Sequence, residues 1–352
     1  MPEFNIGRLK IGLEYCPIFI ADIGANHDGD LSRAKMLIEK AAAAGADVVK
    51  FQNFIATNIV SRRGFADVGR LSHQSSWSAG VYETYEEYSI NRDWIPILHE
   101  HCQSQGVEFM STPYDIDSAD LLLPYVSAYK IGSGDITYTR LISHIAKKGL
   151  PILLSTGAST MEDVNRAVLS VAWQVPLVIM QCNTDYTGIA SYKHLNLNVI
   201  SMYLREYPKS VVGISDHSTD DIGVLVSISL GARVVEKHFS DDTTRVGPDH
   251  KFSVTPDGWT EMVRRAKNSF ASLGSDKKFV CDNESETVVI QRRCLRLSRD
   301  MSIGEIVEPS DLVPLRPAPV GSIPPYMLNK IIGHTVNRNI AFGEHITQSD
   351  IL

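Results

Sequence analysis

Eight short apolar runs, each finishing in polar residues, constrain the fold of this chain more than any other feature of its sequence. They are Ile18–Asn26, Asp47–Phe54, Val107–Thr112, Ala128–Ser133, Pro151–Gly157, Leu177–Asn183, Val211–His217 and Arg233–Phe239. Near-continuous apolar strands, rather than alternating ones, belong to a parallel sheet covered on both faces. Helical spacing of apolar residues fills the intervals, over 31–44, 93–105, 117–123, 141–148, 162–171, 194–206 and 218–231, and a closing helix spans 257–273. Asp30 is placed to cap the first helix and Gly45 to end it, and Asp220 and Asp221 fall in the first turn of the 218–231 helix. Eight such units over about 270 residues predict an α/β chain of (β/α)8 TIM-barrel type. A doubly wound sheet is the alternative, but no G-x-G-x-x-G follows the first strand.

A barrel concentrates its chemistry at the C-terminal ends of its strands. Those ends hold Asp22 and Asn26, Lys50 and Gln52, Thr112, Lys130 and Ser133, Ser155 and Thr156, Asn183, Ser215 and His217, and His238. His217 and His238 close neighbouring strands, where two imidazoles can hold a divalent metal and leave positions open for a substrate. A lone histidine there would more simply satisfy a buried hydrogen bond. Lys50 and Lys130, ringed by hydroxyls, make a cradle for a phosphate or carboxylate. Asp22 and Asp135 are candidate acid–base or hydroxyl-binding carboxylates. The Gly247-Pro-Asp turn can bring Asp249 over the same mouth, and the polar excursion 55–92 is long enough to be a functional loop.

The remainder of the sequence narrows the partners. A net charge of −7 gives no support to nucleic acid or a membrane as partner. Five scattered cysteines, with no C-x-x-C pair, suit reduced thiols. With neither a leader pattern nor an apolar segment of membrane-spanning length, a cytoplasmic protein is expected. Past Gly274 the texture turns polar, and then Asp300–Leu312 repeats as Asn339–Ile351, with Gly304-Glu305 matching Gly343-Glu344 and Ser310-Asp311 matching Ser349-Asp350. A duplicated turn-and-strand unit predicts a small β-rich domain. The expected division is a barrel over 1–280, a linker over 281–290 and the small domain over 291–352.

Ala21–Gly29, Ala44–Gln52, Tyr129–Asp135, Ser155–Gly157, Ser215–His217, Glu236–Phe239 and Gly247–Asp249 together resemble the sialic acid synthase family, in order and over nearly the whole chain. The tail, with Arg316-Pro317, resembles the antifreeze-like SAF (β-clip) domain joined to that barrel. The resemblance implies a C–C bond-forming transferase that condenses phosphoenolpyruvate with an N-acylated hexosamine, giving a nine-carbon 2-keto acid of the N-acetylneuraminate or legionaminate type. It further implies His217 and His238 as ligands of Mn2+ (or Mg2+ or Co2+), and Lys50, Thr112, Lys130, Ser133, Ser155, Asn183 and Ser215 as phosphoenolpyruvate contacts. Tyr186 and Asp249 would contact the sugar and Gln52 would lie beside the reacting centre, with Asp135 as the proton-handling carboxylate. Arg316 would reach the acyl group from the tail of a partner in a domain-swapped homodimer. Asp22 and Asp135 stand where that family usually has glutamate, one methylene longer, which changes reach by about 1.5 Å; diacetamido acceptors therefore stand beside N-acetylmannosamine. Another phosphoenolpyruvate-condensing synthase, a Schiff-base aldolase using Lys130 or Lys237, and a non-enzymatic binding module are the competing readings.

Overall fold

The computed structural model describes residues 2–69, 71, 74, 75, 77, 79–172, 174–186 and 192–352. The chain divides into two units, Met1–Gly274 and Ser275–Leu352. In the first, eight parallel strands close into a barrel in chain order. After a hairpin of β1 (Glu3–Ile6) and β2 (Leu9–Gly12), these are β3 (Ile18–Asp22), β4 (Val48–Asn53), β5 (Glu108–Pro113), β6 (Tyr129–Ile131), β7 (Ile152–Ser155), β8 (Leu177–Cys182), β9 (Val211–Asp216) and β10 (Val234–His238), with β10 pairing back onto β3. Each predicted run contains one barrel strand, and most of the polar end residues lie on the last residues of these strands, with Asn26, Ser133, Thr156, Asn183 and His217 in the loops that follow.

Side chains alternate across each strand, so every strand feeds two layers. One set, including Phe19, Val49, Phe51, Phe109, Ile152, Leu154, Val212, Ile214 and Val235, joins the helices in the larger core. The other set points into the barrel: Ile18, Ile20, Val48, Met110, Ala128, Leu153, Val178, Met180, Val211 and Val234 form a second, smaller cluster. Ile6 and Ile11 of the hairpin are buried in that cluster and cover the end away from the strand termini. Counting on in steps of two, the inward series leave the apolar cluster and reach Asp22, Lys50, Thr112, Lys130, Ser155, Ser215, Glu236 and His238, while that of β8 ends at Cys182. Period two therefore converts the apolar-to-polar gradient of each run into a dry floor beneath a polar layer.

Local chemistry sets the helix ends. Asp30 accepts backbone hydrogen bonds from Ser32 and Arg33 and caps the helix Leu31–Ala43, while Gly45 follows at φ 93°. The expected 194–206 helix is broken into Tyr192–Leu195 and Asn198–Glu206, with Asn196 left-handed at φ 49° between them. Asp220 and Asp221 lie ahead of the helix Ile222–Ser229 rather than in its first turn: Asp220 Oδ1 accepts from the Ile222 amide at 3.0 Å and Asp221 pairs with Arg265 at 2.9 Å. Among the described residues, the excursion after β4 carries the short helices Ala56–Ile59, Arg62–Val68 and Val81–Glu87.

Gly213 of β9 sits where a Cβ would lie 2.7 Å from the Val234 carbonyl oxygen and 3.0 Å from Val234 Cβ. Backbone cannot yield as a side chain can, so Gly213→Ala is expected to destabilise the barrel by about 1–3 kcal/mol in denaturant melts.

The second unit pairs β11 (Cys294–Leu297) with β12 (Leu312–Leu315) and buries Leu295, Leu297, Met301, Val307, Val336, Ile340 and Ile346. The stretch 281–290, expected as a linker, carries most of a helix, Ser285–Gln291. The repeated segments face each other through the antiparallel bridge Met301–Ile340. Each holds the same fastening: Arg299 pairs with Glu305 and Asp311, and Arg338 with Glu344 and Asp350, at 2.6 to 2.9 Å.

Candidate active site

The polar layer is a set of interlocked charges. β3, β4 and β10 put His238 opposite Asp22 and Asp22 opposite Lys50 as register partners. Asp22 Oδ2 lies 2.6 Å from Lys50 Nζ, 3.3 Å from Gln52 Nε2 and 3.5 Å from His238 Nε2, while Oδ1 accepts from the Gly24 amide at 3.0 Å. Lys130 Nζ pairs with Glu236 Oε1 at 3.0 Å, and Ser215 Oγ donates to the same oxygen at 3.0 Å. Glu236 Oε2 stands 3.9 Å from Lys50 Nζ, which links the two pairs. Two carboxylates and two ammoniums thus balance in a layer almost sealed from water. Burial opposes the charge on Asp22, but Lys50 and His238 outweigh it and hold the carboxyl at about 2. The same contest raises Lys50, where Asp22 and Glu236 prevail over burial, and lowers Glu236, where Lys130 and Lys50 prevail.

Asp135 is the exception. It lies in the single 3-10 turn Ser133–Asp135 after β6, where burial pushes its carboxyl up to about 6 against the pull of Lys130. The two carboxyls of similar sequence promise are therefore different instruments: Asp22 stays ionised, and Asp135 can exchange a proton near neutral pH.

The two histidines face each other with ring centroids 5.5 Å apart. His217 Nδ1 donates to the Asn183 carbonyl at 3.0 Å, which leaves Nε2 as a lone-pair donor. His238 Nδ1 is buried with no hydrogen-bond partner among the described residues. Phe252, which the sequence reading did not single out, packs edge-on against both rings and, tilted, against Tyr186. Tyr186 stands 4.5 Å from His217, centroid to centroid.

Of the remaining expected residues, Thr112 Oγ1 is 3.4 Å from Lys50 Nζ, and Ser133 Oγ accepts from the Gly157 amide at 3.0 Å. Ser155 Oγ is buried without a partner among the described residues. Asn183 spends a side-chain donor on the His194 carbonyl and touches His217 through its backbone. Asp249 Oδ2 accepts from the Ala25 amide at 2.8 Å and lies 3.8 Å from His238 Nδ1. Arg316 belongs to the second unit, where Nε donates to the Gln291 carbonyl at 2.6 Å. Gln52, Tyr186, His238 and Asp249 share a cavity of about 170 Å3 whose other wall is aromatic: Phe54, Trp77, Tyr85, Tyr88 and Tyr114. That wall and Glu236 were not assigned from sequence. The strand phase of 234, 236 and 238 carries the signal for Glu236, and the aromatic residues clustered in 77–88 carry it for the wall.

A barrel with a buried, charge-balanced mouth, an exchangeable carboxyl and two facing imidazoles is the machinery of an enzyme. The NeuB family pattern matches residues 37–278 and the SAF domain pattern matches 292–352. The chain is 34% identical to N,N'-diacetyllegionaminic acid synthase of Legionella pneumophila, over 93% of this chain and 94% of that protein. It is 30% identical to human N-acetylneuraminate-9-phosphate synthase, over 77% of each. The crystal structure of spore coat polysaccharide biosynthesis protein SpsE from Bacillus subtilis superposes with a TM-score of 0.65 at 28% identity, covering 99% of both chains. This chain belongs to the NeuB family, with a SAF domain at its C-terminal end. Among the described residues, no helix is long and apolar enough to cross a membrane.

Proposed function

We propose that this protein is a phosphoenolpyruvate-dependent nonulosonic acid synthase, a C–C bond-forming transferase acting on an N-acylated hexosamine. The observation that carries the reading is the facing of two imidazoles across a mouth whose floor holds two buried lysines and whose rim holds Asp135.

Lys50, raised by its carboxylate partners, and Lys130, ion-paired with Glu236, bind the phosphate and carboxylate of phosphoenolpyruvate with Thr112, Ser133, Ser155, Asn183 and Ser215. The unpartnered His238 Nδ1 and the free Nε2 of His217 fit a divalent metal, most simply Mn2+. Among the described residues no group of three or more His, Cys, Asp or Glu is placed to hold an ion; the protein would hold the metal through these two imidazoles and leave its other positions to non-protein donors. When bound, such a metal supplies Lewis-acid polarisation of the sugar aldehyde. In the condensation, C3 of phosphoenolpyruvate bonds to C1 of the open-chain sugar and the aldehyde oxygen takes a proton. Water adds at C2, the C2–O bond breaks and inorganic phosphate leaves. Asp135 receives the proton of that water, Gln52 and Asp22 orient the reacting centre, and Tyr186 and Asp249 hold the sugar. Arg316 reaches the acyl group from a second copy of the chain in a domain-swapped dimer.

The aromatic wall favours an acceptor with a second acetamido group, whose methyl packs on ring faces, and two relatives are named N,N'-diacetyllegionaminic acid synthases. A Schiff-base aldolase needs a neutral lysine. Lys50 is pushed the other way, Lys130 is ion-paired, and Lys237 points out of the barrel onto Asp216.

The test is phosphate release from phosphoenolpyruvate with Mn2+ and N-acetylmannosamine, mannose or diacetamido hexoses. Release is expected with acylated sugars, fastest with the diacetamido set, and EDTA is expected to abolish it. A lysine adduct trapped by borohydride, with activity surviving EDTA, would sink the proposal.

A further inference from the structure

One residue before each imidazole lies an ion pair that the chemistry above does not use. Lys237 and Asp216 are register partners on β10 and β9, immediately preceding His238 and His217. Both point away from the mouth, between the sheet and the helices, and their side chains are 1% and 0% exposed. Lys237 Nζ donates to Asp216 Oδ2 at 2.7 Å, to the Ser218 carbonyl at 2.6 Å and to Ser218 Oγ at 3.4 Å, so the ammonium is fully committed. Asp216 accepts from the Ser218 amide and hydroxyl, each at 2.9 Å. The tie therefore joins two strands and gathers the turn on the far side of His217.

A buried ion pair of this kind returns little stability over apolar residues of similar volume, because desolvation consumes most of the Coulomb gain. What it does return is geometry. An imidazole pair serves one metal only if both rings are held to a few tenths of an ångström, and such restraint comes from groups behind the ligands. On the barrel side, the nitrogen of His238 left over for restraint, Nε2, has the approach of Asp22 Oδ2 at 3.5 Å, so the strand behind it carries the rest of the positioning. We infer that Lys237 and Asp216 are positioning residues that fix the separation of His217 and His238 for a divalent metal. The inference rests on the two-imidazole reading above.

The experiment uses the full chain and the double variant K237M/D216L, which removes both charges and so leaves no lone buried ion. Mn2+ affinity by calorimetry, the visible absorption of the Co2+ form and the thermal midpoint are measured together. The expected result is a midpoint close to the parent's, an affinity for Mn2+ weakened ten- to a hundredfold, and an altered Co2+ spectrum. Equal affinity and an unchanged spectrum, whatever the midpoint, would overturn the inference. If the double variant does not fold, K237M/D216N, which keeps the shape of Asp216 and an oxygen for the Ser218 amide and leaves no buried charge, carries the same comparison. A parent protein that binds neither ion, or binds equally with H217A, overturns the metal reading and this inference with it. A parent that binds through its histidines while the variant binds equally overturns the inference alone.

Discussion

His217→Ala and His238→Ala are each expected to lower kcat/KM by about a thousandfold while leaving the barrel folded. Lewis-acid polarisation is worth several kcal/mol, and each ~1.4 kcal/mol is a factor of ten. The rings lie above the apolar floor and are packed mainly by Phe252 and Tyr186, so their loss leaves the larger core intact. Turnover within tenfold of the parent in both variants, with unchanged far-UV circular dichroism, would remove the two-imidazole centre from the mechanism.

Asp135→Asn has the second largest expected effect, about a hundredfold or more in kcat, the usual scale of a positioned proton acceptor. Its signature is the pH profile. The carboxyl is raised from the ordinary 3.8 to about 6 by burial, so it is ionised only above that point. Activity of the parent should rise with pH through about 6, and the asparagine variant should lose that limb. Stability runs the other way. The native state holds this proton more tightly than the unfolded chain, so between the ordinary carboxylate range and about 6 the Asp135 contribution falls as pH rises. The variant should flatten that component of a pH series of melts. A variant with parental turnover and an unmoved acid limb would assign the proton to another group.

The barrel was legible because its signal is one-dimensional: a strand buried on both faces must be apolar along its length, and only its end can carry chemistry. Lys50, Lys130, His217 and His238 were found on that rule alone. What the rule lacked was phase. Counting in twos from Val234 places Glu236 and His238 inside and Lys237 outside, which separates a site residue from a rival that plain strand membership left equal. Pairing across strands was beyond reach, since the closeness of Lys130 to Glu236 depends on barrel closure. The β1–β2 hairpin went unread because two four-residue strands offer too little pattern, although Ile6 and Ile11 carry real burial. Trp77, Tyr85 and Tyr88 of the aromatic wall were visible only as part of a long excursion, and it took the fold to bring them into one cavity with Phe54, Tyr114 and Asp249.

The matched arginine fastenings of the second unit give it a shared acid lability. Hydrogen bonds from Arg299 lower Glu305 and Asp311; Arg338 lowers Glu344 in the same way and, with burial opposing, Asp350 as well. Carboxylates held low contribute stability at neutral pH and lose it as pH falls through their depressed values. Both copies draw on the same chemistry at the same spacing, so acid loosens the two halves of the duplication together. Asp135, held high instead of low, responds to acid with the opposite sign. One chain thus carries a buried carboxyl that stabilises on protonation and a twofold clasp that opens on it.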